Sequence, residues 1–317
     1  MITAEVLTEM AHDHDHEHAH HHSELGDIRL AFFLNLVFTV FEIMGGLWTN
    51  SLAIMANAIH DLGDSFALGS AWFLERLSAK KGDSLYSYGY RRFSLLGALI
   101  TAAMLVAGSS LILFKAVPRL IHPLIHPQLP NAQGMVLFAV IGIMVNGAAV
   151  IRLKGSKGMN AKMVAWHLLE DVLGWTAVLA ISIVLLIREI PVLDPLLSCV
   201  ITLYVLFNVL KNLGKTIGIF MQGVPEGVDI TAIEESMRAI KHVTCTHHTH
   251  IWSLDGMHHV LTTHVVVDQD ATQEDIMHIK ENIRYLMITH GMNHSTVEIE
   301  YCGEECRISG DSCNCSS

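Results

Sequence analysis

Two short stretches decide the fold: Asn57-Ala58-Ile59-His60-Asp61-Leu62-Gly63-Asp64 and His167-Leu168-Leu169-Glu170-Asp171. Each puts a His and an Asp four residues apart inside a long apolar run. At 3.6 residues per turn, positions i and i+4 lie one above the other on a single helical face. A charge at the centre of a hydrocarbon span costs upward of about 2.5 kcal/mol. A lone polar residue there can be satisfied by one hydrogen bond to a neighbouring helix. Two matching pairs, each with its own acid, are better explained by convergence of two imidazoles and two carboxylates on one divalent ion. Four such N and O donors suit Zn²⁺. Sulfur is absent from the pattern, which disfavours Cu(I), and so is the all-oxygen shell that Ca²⁺ or Mg²⁺ prefers.

The surrounding sequence supplies the apolar setting. The segments Ile28–Trp48, Leu52–Leu77, Phe93–Val117, Ala132–Leu153, Met163–Ile187 and Val192–Leu213 each reach the roughly 20 residues needed to cross a bilayer. The chain of 317 residues is 51% hydrophobic and only 16% charged, against about 25% charged in a soluble domain. A net charge of −11 argues against a nucleic-acid partner. The first segment follows an acidic, His-rich stretch and has no small-residue cleavage site after it, so a cleaved signal peptide is not expected. Eleven basic residues fall in or beside the loops after the second, fourth and sixth segments, and three (Lys115, Arg119, Arg188) on the opposite side. By the positive-inside rule both termini are expected in the cytoplasm, with the loop Pro118–Pro130 outside.

Beyond about residue 220 the chain turns polar. Asp229 and Thr231-x-x-Glu234 open a helix with a capping-box pattern. Val243–Trp252 and Met257–Asp268 read as strands around a Leu254-Asp255-Gly256 turn, Thr272–His290 as a helix, and Ser295–Tyr301 as a strand. The order αββαβ predicts a small α+β, ferredoxin-like domain. The expected organisation is therefore a His-rich cytoplasmic tail (1–27), a six-helix transmembrane domain (28–215), a cytoplasmic ferredoxin-like domain (216–301) and a Cys-containing tail (302–317).

Other polar residues in the apolar segments are candidates for support or for a proton path. Asn35 and Glu42 share one face of the first segment, and Asn57 precedes His60 by about one turn. Asp61 and Glu170 point about 100° away from their His neighbours. Outside the membrane the histidines form separate populations. Seven lie within residues 12–22, interleaved with Asp13, Asp15 and Glu17, a composition that binds metal weakly. His122 and His126 fall in the outer loop, and ten follow from His242 onward. Cys302, Cys306, Cys313 and Cys315 match no recognised finger spacing.

These residues carry a resemblance to the cation diffusion facilitator family, particularly its zinc-exporting bacterial members. The likeness runs through Asn35, Phe41-Glu42-x-x-Gly45-Gly46, Ser51-Leu52-Ala53 and Ala58-Ile59-His60-Asp61-x-x-Asp64. It continues through Tyr88-Gly89-Tyr90-Arg91-Arg92, His167-x-x-x-Asp171, Asp194-Pro195, Gly223-Val224-Pro225 and His248-Thr249-His250-Ile251-Trp252. The resemblance implies six membrane helices, a ferredoxin-like cytoplasmic domain, a homodimer in the inner membrane, and export of Zn²⁺ in exchange for H⁺. The transport ligands would be His60, Asp64, His167 and Asp171. His at the place of His60, rather than Asp, goes with preference for Zn²⁺ over Cd²⁺ in the family. Regulatory Zn²⁺ would bind the cytoplasmic domain, where the candidates are His248, His250, His264, His278, Glu298 and Glu300; alternation alone leaves open which of His247, His248 and His250 point together. No organic cofactor is expected.

Two departures stand out. Tyr86 and Tyr90 occupy the loop where some members hold a second metal through His, so no such site is expected here, and Ser94 replaces a common Glu. The loop between the fourth and fifth segments is the short Gly155-Ser156-Lys157-Gly158. Rival classes account for less. A metalloprotease would need His-Glu-x-x-His, which is missing. A haem carrier would set an acid one turn from each axial His. A soluble metal sensor leaves the membrane pairs unexplained. A metal channel, or an exporter mainly of Cd²⁺, Co²⁺, Fe²⁺ or Mn²⁺, is the remaining alternative.

Overall fold

The computed structural model describes residues 32–78, 80, 82–123, 129–153 and 159–304. The N-terminal His stretch, His126, the Gly155–Gly158 loop and the cysteines beyond 304 lie outside the described residues. Two compact units form: the chain through Leu77 with Leu96–Leu213, and Ser78–Leu95 with the chain from Gly214 onward.

The first unit is helical. Its helices are α1 (Phe32–Thr49), α2 (Leu52–Ser78), α3 (Phe93–Ile121), α4 (Ala132–Leu153), α5 (Met159–Ile187) and α6 (Leu193–Phe220). All except α2 contain a stretch long and apolar enough to cross a membrane. At 27 residues α2 is long enough as well, about 40 Å, but Asp61 and Asp64 near its middle and Glu75 and Arg76 near its end lower its hydropathy. Its departure from the other five therefore comes partly from the residues of the candidate site. Large apolar side chains such as Leu34, Val37, Leu47, Phe114 and Phe207 stand exposed on the helices, as expected of surfaces facing lipid rather than water.

The ends of the outer loop differ from the sequence expectation. Pro118 lies inside α3, and the helix runs to Ile121, one turn past the expected start of the loop. The His122 N–H bonds the Pro118 carbonyl at 2.9 Å. A proline removes the hydrogen bond on its N-terminal side but leaves its own carbonyl free to accept.

Polar groups fix the start of α2. Ser51 is its N-terminal cap, its Oγ accepting from the Ile54 N–H at 3.2 Å. Asp194, from the first turn of α6, reaches the same place across the bundle. Its carboxylate accepts from the Leu52 N–H at 2.8 Å, the Ala53 N–H at 3.2 Å and the Ser51 hydroxyl. A buried carboxylate at a helix N-terminus is offset by orphan N–H groups and by the helix dipole. Two small residues set the helix spacing. A Cβ at Gly63 would lie 2.4 Å from Leu105 on α3, and one at Gly142 would lie 2.3 Å from the buried Trp175 ring on α5.

The second unit follows the order α7 (Ile230–Arg238), β1 (Val243–Ser253), β2 (His259–Val267), α8 (Gln273–Thr289), β3 (Met292–Tyr301). The sheet order is β1-β2-β3, with β1 antiparallel and β3 parallel to β2; α8 is the crossover that a parallel pair requires. Ile233 and Met237 of α7 and Ile279, Ile283 and Met287 of α8 bury against Ile251, Leu261, Val265 and Val267. Thr272 and Asp275 form a capping box on α8. On α7 the cap is Asp229, which accepts from the Thr231 and Ala232 N–H groups. Glu234, expected to close a box with Thr231, instead pairs with Arg238 at 3.6 Å. A carboxylate two residues earlier satisfies the first N–H groups and leaves the Thr231 hydroxyl no capping role.

Asp194→Ala removes two N–H partners and a hydroxyl partner in a buried place, so a destabilisation of about 1–3 kcal/mol is expected. Asp229→Ala, at an exposed cap, should cost about 1 kcal/mol. Thermal unfolding in detergent checks the pair, and equal midpoints for Asp194→Ala and the parent would contradict the cap.

Candidate metal centre

Helices α2 and α5 bring the two pairs face to face. His60 Nε2 lies 3.7 Å from Asp64 Oδ2, His167 Nε2 lies 3.2 Å from the same oxygen, and His167 Nε2 lies 4.0 Å from Asp171 Oδ2. The imidazole rings sit edge to face with centroids 5.7 Å apart. A tetrahedral ion with bonds of about 2.0–2.2 Å holds its donors roughly 3.3–3.6 Å apart, so the observed spacing brackets what Zn²⁺ needs. His60, Asp64 and His167 can each present a donor atom within 4.8 Å of the others, and so can His60, Asp61 and Asp171. His60 Nδ1 has no hydrogen-bond partner, and Asp64 Oδ2 makes no well-aligned hydrogen bond beyond its approach to the imidazoles. Unmet polar atoms in an apolar bundle are costly unless something fills the gap between them.

The surrounding polar residues differ in role. Asn35 donates to the Asp61 carbonyl and to Ser65 Oγ, both at 3.0 Å, and Thr39 reaches the same Ser65. Glu42 is fully buried and accepts from Asn57 Nδ2 at 3.2 Å. Asn35, Glu42 and Asn57 thus fasten α1 to the Asn57-Asp61-Ser65 stripe of α2, beside the face that carries His60 and Asp64. Asp61 is 3% exposed and stands between this network and Asp171, closer to the cluster than its 100° offset from His60 suggested. Glu170 faces outward and accepts from Tyr204 Oη at 3.3 Å, away from the cluster.

A second cluster forms on the sheet. The register places His247 opposite His264 and His264 opposite Glu298. His264 Nδ1 bonds Glu300 Oε1 at 2.6 Å, His247 Nε2 lies 3.1 Å from Glu300 Oε2, and His264 Nε2 lies 3.5 Å from Glu298 Oε2. The His248 ring is 5.2 Å from that of His247 and 5.4 Å from that of His264. Neighbours on a strand should point to opposite faces, yet both histidines serve this cluster. The register breaks between His247 and His250, and His248 takes a left-handed φ of 49°; this bulge turns His248 back. His250 is exposed on another side, lining a cavity with Thr249 and Ile251. His278 is 67% exposed on α8, beside Glu281. Of the six expected residues the structure groups His248, His264, Glu298 and Glu300, adds His247, and leaves His250 and His278 apart. Burial holds the His247 imidazole below its ordinary pKa, with Glu300 opposing and His264 reinforcing the shift. Its neutral form, the one that binds metal, therefore persists to lower pH.

Comparison with known proteins adds a third strand. A family model described as the cation efflux transmembrane domain matches residues 28–221, and one described as the cation efflux protein cytoplasmic domain matches residues 225–302. The chain is 30% identical to the cadmium, cobalt and zinc/H⁺-K⁺ antiporter of Bacillus subtilis, over 86% of this chain and 88% of that protein. It is 31% identical to zinc transporter ZitB of Yersinia pseudotuberculosis, over 87% of this chain and 88% of that protein. It is 30% identical to metal cation efflux system protein CzcD of Cupriavidus metallidurans, over 86% and 85%.

The sheet cluster makes a pH prediction. The folded pKa of His247 is below its unfolded value of about 6.5. Between the two the unfolded chain binds more protons, so stability of the metal-free protein rises with pH across that window. Metal-free parent protein should lose stability as pH falls below about 6.5, and His247→Asn should lose less. An identical pH dependence in denaturant unfolding of parent and variant would contradict the buried neutral imidazole.

Proposed function

The chain belongs to the cation efflux family, and from that premise we propose that it exports Zn²⁺ from the cytoplasm by proton-coupled antiport. The observation that carries the reading is the contact between the two pairs across α2 and α5: His167 Nε2 lies 3.2 Å from Asp64 Oδ2 and the His60 and His167 rings are 5.7 Å apart, with Asp171 one turn from His167. Relatives whose names specify zinc transport and H⁺ antiport support it. In this reading α2 is the sixth span, both termini are cytoplasmic, and the inner membrane holds the chain through residues 28–215. Residues 216–301 form a ferredoxin-like cytoplasmic domain that pairs as a homodimer, between tails at 1–27 and 302–317. Zn²⁺ and H⁺ are the cargo and counter-ion. The chain catalyses no chemical reaction and takes no organic cofactor.

The ligands themselves supply the mechanism. Imidazole titrates near pH 6.5 when unperturbed, within reach of cellular pH. Metal needs neutral imidazole and ionised carboxylate, so protons and Zn²⁺ compete for the same four groups. Zn²⁺ loads where proton activity is low, and incoming protons displace it where proton activity is high. Rocking of the bundle exposes the site to each side in turn, which separates a carrier from a channel. Asp61, packed beside the ligands and tied through Asn35 to α1, is placed to relay protons or hold the ligand helix. Zn²⁺ on His247, His248, His264 and Glu300 would act as a regulatory ligand of the cytoplasmic domain.

One observation favours a broader cargo: the Bacillus subtilis relative is named for cadmium and cobalt as well as zinc. Proteoliposome flux tests both points. Zn²⁺ flux should depend on an imposed pH gradient, and flux indifferent to the gradient would favour the channel. His60→Ala and Asp171→Ala should each lower flux by at least tenfold, and parental rates in both would end the proposal. His60→Asp should raise Cd²⁺ transport relative to Zn²⁺, because a carboxylate can offer two oxygens and admit a larger ion with more ligands than the tetrahedral two-imidazole set that suits Zn²⁺.

A further inference from the structure

Outside both clusters, a cavity of about 420 Å³ opens in the second unit. Its wall combines the turn between α2 and α3 (Tyr86, Tyr88, Arg91, Arg92) with Gln222 and with Trp252 on β1. No acidic residue lines it. Arg91 is already engaged, its Nη1 lying 2.7 Å from His258 Nε2 and 3.8 Å from Asp255 Oδ2. Arg92 is half-buried and has no ion pair among the described residues. The acid of the same turn, Asp83, is occupied: it accepts from the Leu85 and Tyr86 N–H groups and from Tyr90 Oη, each at 2.8 Å. Burial and these bonds together hold one formal positive charge in the cavity without a counter-charge.

The other polar groups on the wall can donate. The Trp252 indole and the Arg92 guanidinium are donors only, and the Tyr86 and Tyr88 hydroxyls and the Gln222 amide can donate. None of these side chains makes a hydrogen bond within the described protein. A half-buried arginine that shares a cavity with residues carrying N–H and O–H donors matches a phosphate, which guanidinium binds through two parallel bonds. The place fits as well. Phe93, which lines the cavity, is the first residue of the membrane-spanning α3. Leu85, on the rim, is 80% exposed. Aromatic and apolar side chains at the end of a span are where lipid headgroups lie.

We propose that this cavity binds a phosphate-bearing anion, with Arg92 as the charge that holds it and Trp252 and Tyr88 as donors. The phosphate of an anionic phospholipid headgroup and free inorganic phosphate share this chemistry. Binding here would tie the turn between α2 and α3 to β1, through a site independent of the metal clusters and of the transport reading.

Calorimetric titration of the delipidated full chain in neutral detergent tests it with three probes: dihexanoyl phosphatidylglycerol, dihexanoyl phosphatidylcholine and inorganic phosphate. Saturable binding of phosphatidylglycerol, at least tenfold tighter than phosphatidylcholine, identifies the lipid headgroup as the source. Saturable binding of inorganic phosphate that blocks phosphatidylglycerol identifies the free anion. In whichever arm binds, Arg92→Gln should weaken affinity by at least tenfold and Arg92→Lys by less. The proposal is overturned if neither anion binds, if phosphatidylcholine binds as tightly as phosphatidylglycerol, or if Arg92→Gln binds like the parent. Should Arg92→Gln aggregate, Trp252→Phe and Tyr88→Phe carry the test: each should weaken binding several-fold, and parental affinity in both overturns the proposal.

Discussion

Everything in the helical unit is arranged around one electrostatic difficulty: two imidazoles and two carboxylates kept together in an apolar bundle. The cost of isolating even one such charge exceeds most single stabilising contacts in a protein. Asp64 answers part of it by standing within 4 Å of both histidines. The remainder explains the polar residues elsewhere in helices that otherwise have little use for them. Asn35, Glu42 and Asn57 bind α1 against α2 by side-chain hydrogen bonds. Asp194 holds the first turn of α2 from across the bundle. Small residues at Gly63 and Gly142 let neighbouring helices approach closely. The α1 hydrogen bonds, Asp194 and Gly63 seat α2, and Gly142 lets α4 close on the Trp175 ring of α5.

That arrangement also relates structure to the proposed cycle. A site that must accept metal and then release it to protons cannot be saturated with permanent hydrogen bonds. His60 Nδ1 has no hydrogen-bond partner and Asp64 Oδ2 is met only by the two imidazoles, in contrast with Asp194, whose carboxylate is fully engaged in capping. Both acids are in apolar surroundings, yet one is available to a ligand and the other is committed to a helix end. The distinction rests on partners rather than on burial, since Asp194 is the more buried of the two.

Much of this was legible in the sequence, and the exceptions have physical causes. The repeated His-x-x-x-Asp spacing located the face of α2 and α5, because helical period is a local property. Thr272 and Asp275 announced the start of α8 for the same reason. Local rules failed where tertiary structure or a backbone irregularity intervened. The α7 cap moved to Asp229 because a better-placed carboxylate preceded Thr231. Alternation could not assign His247 and His248, because a bulge with a left-handed residue breaks the period of two. The nearness of Asp61 to Asp171 depends on how α2 meets α5, and no single-helix projection contains that. The low hydropathy of α2 has a local cause: Asp61, Asp64, Glu75 and Arg76 set it apart from the five more apolar helices.

The central claim is that one divalent ion is held by His60, Asp64, His167 and Asp171 together. Zinc X-ray absorption on a variant lacking the sheet cluster, His247→Ala with His264→Ala and Glu300→Ala, tests it most directly, with one equivalent of Zn²⁺ bound. The account predicts a shell of four nitrogen and oxygen donors at about 2.0 Å with two imidazole signatures, lost on adding His60→Ala and Asp171→Ala. A sulfur donor near 2.3 Å, or a six-oxygen shell without imidazole, would contradict it.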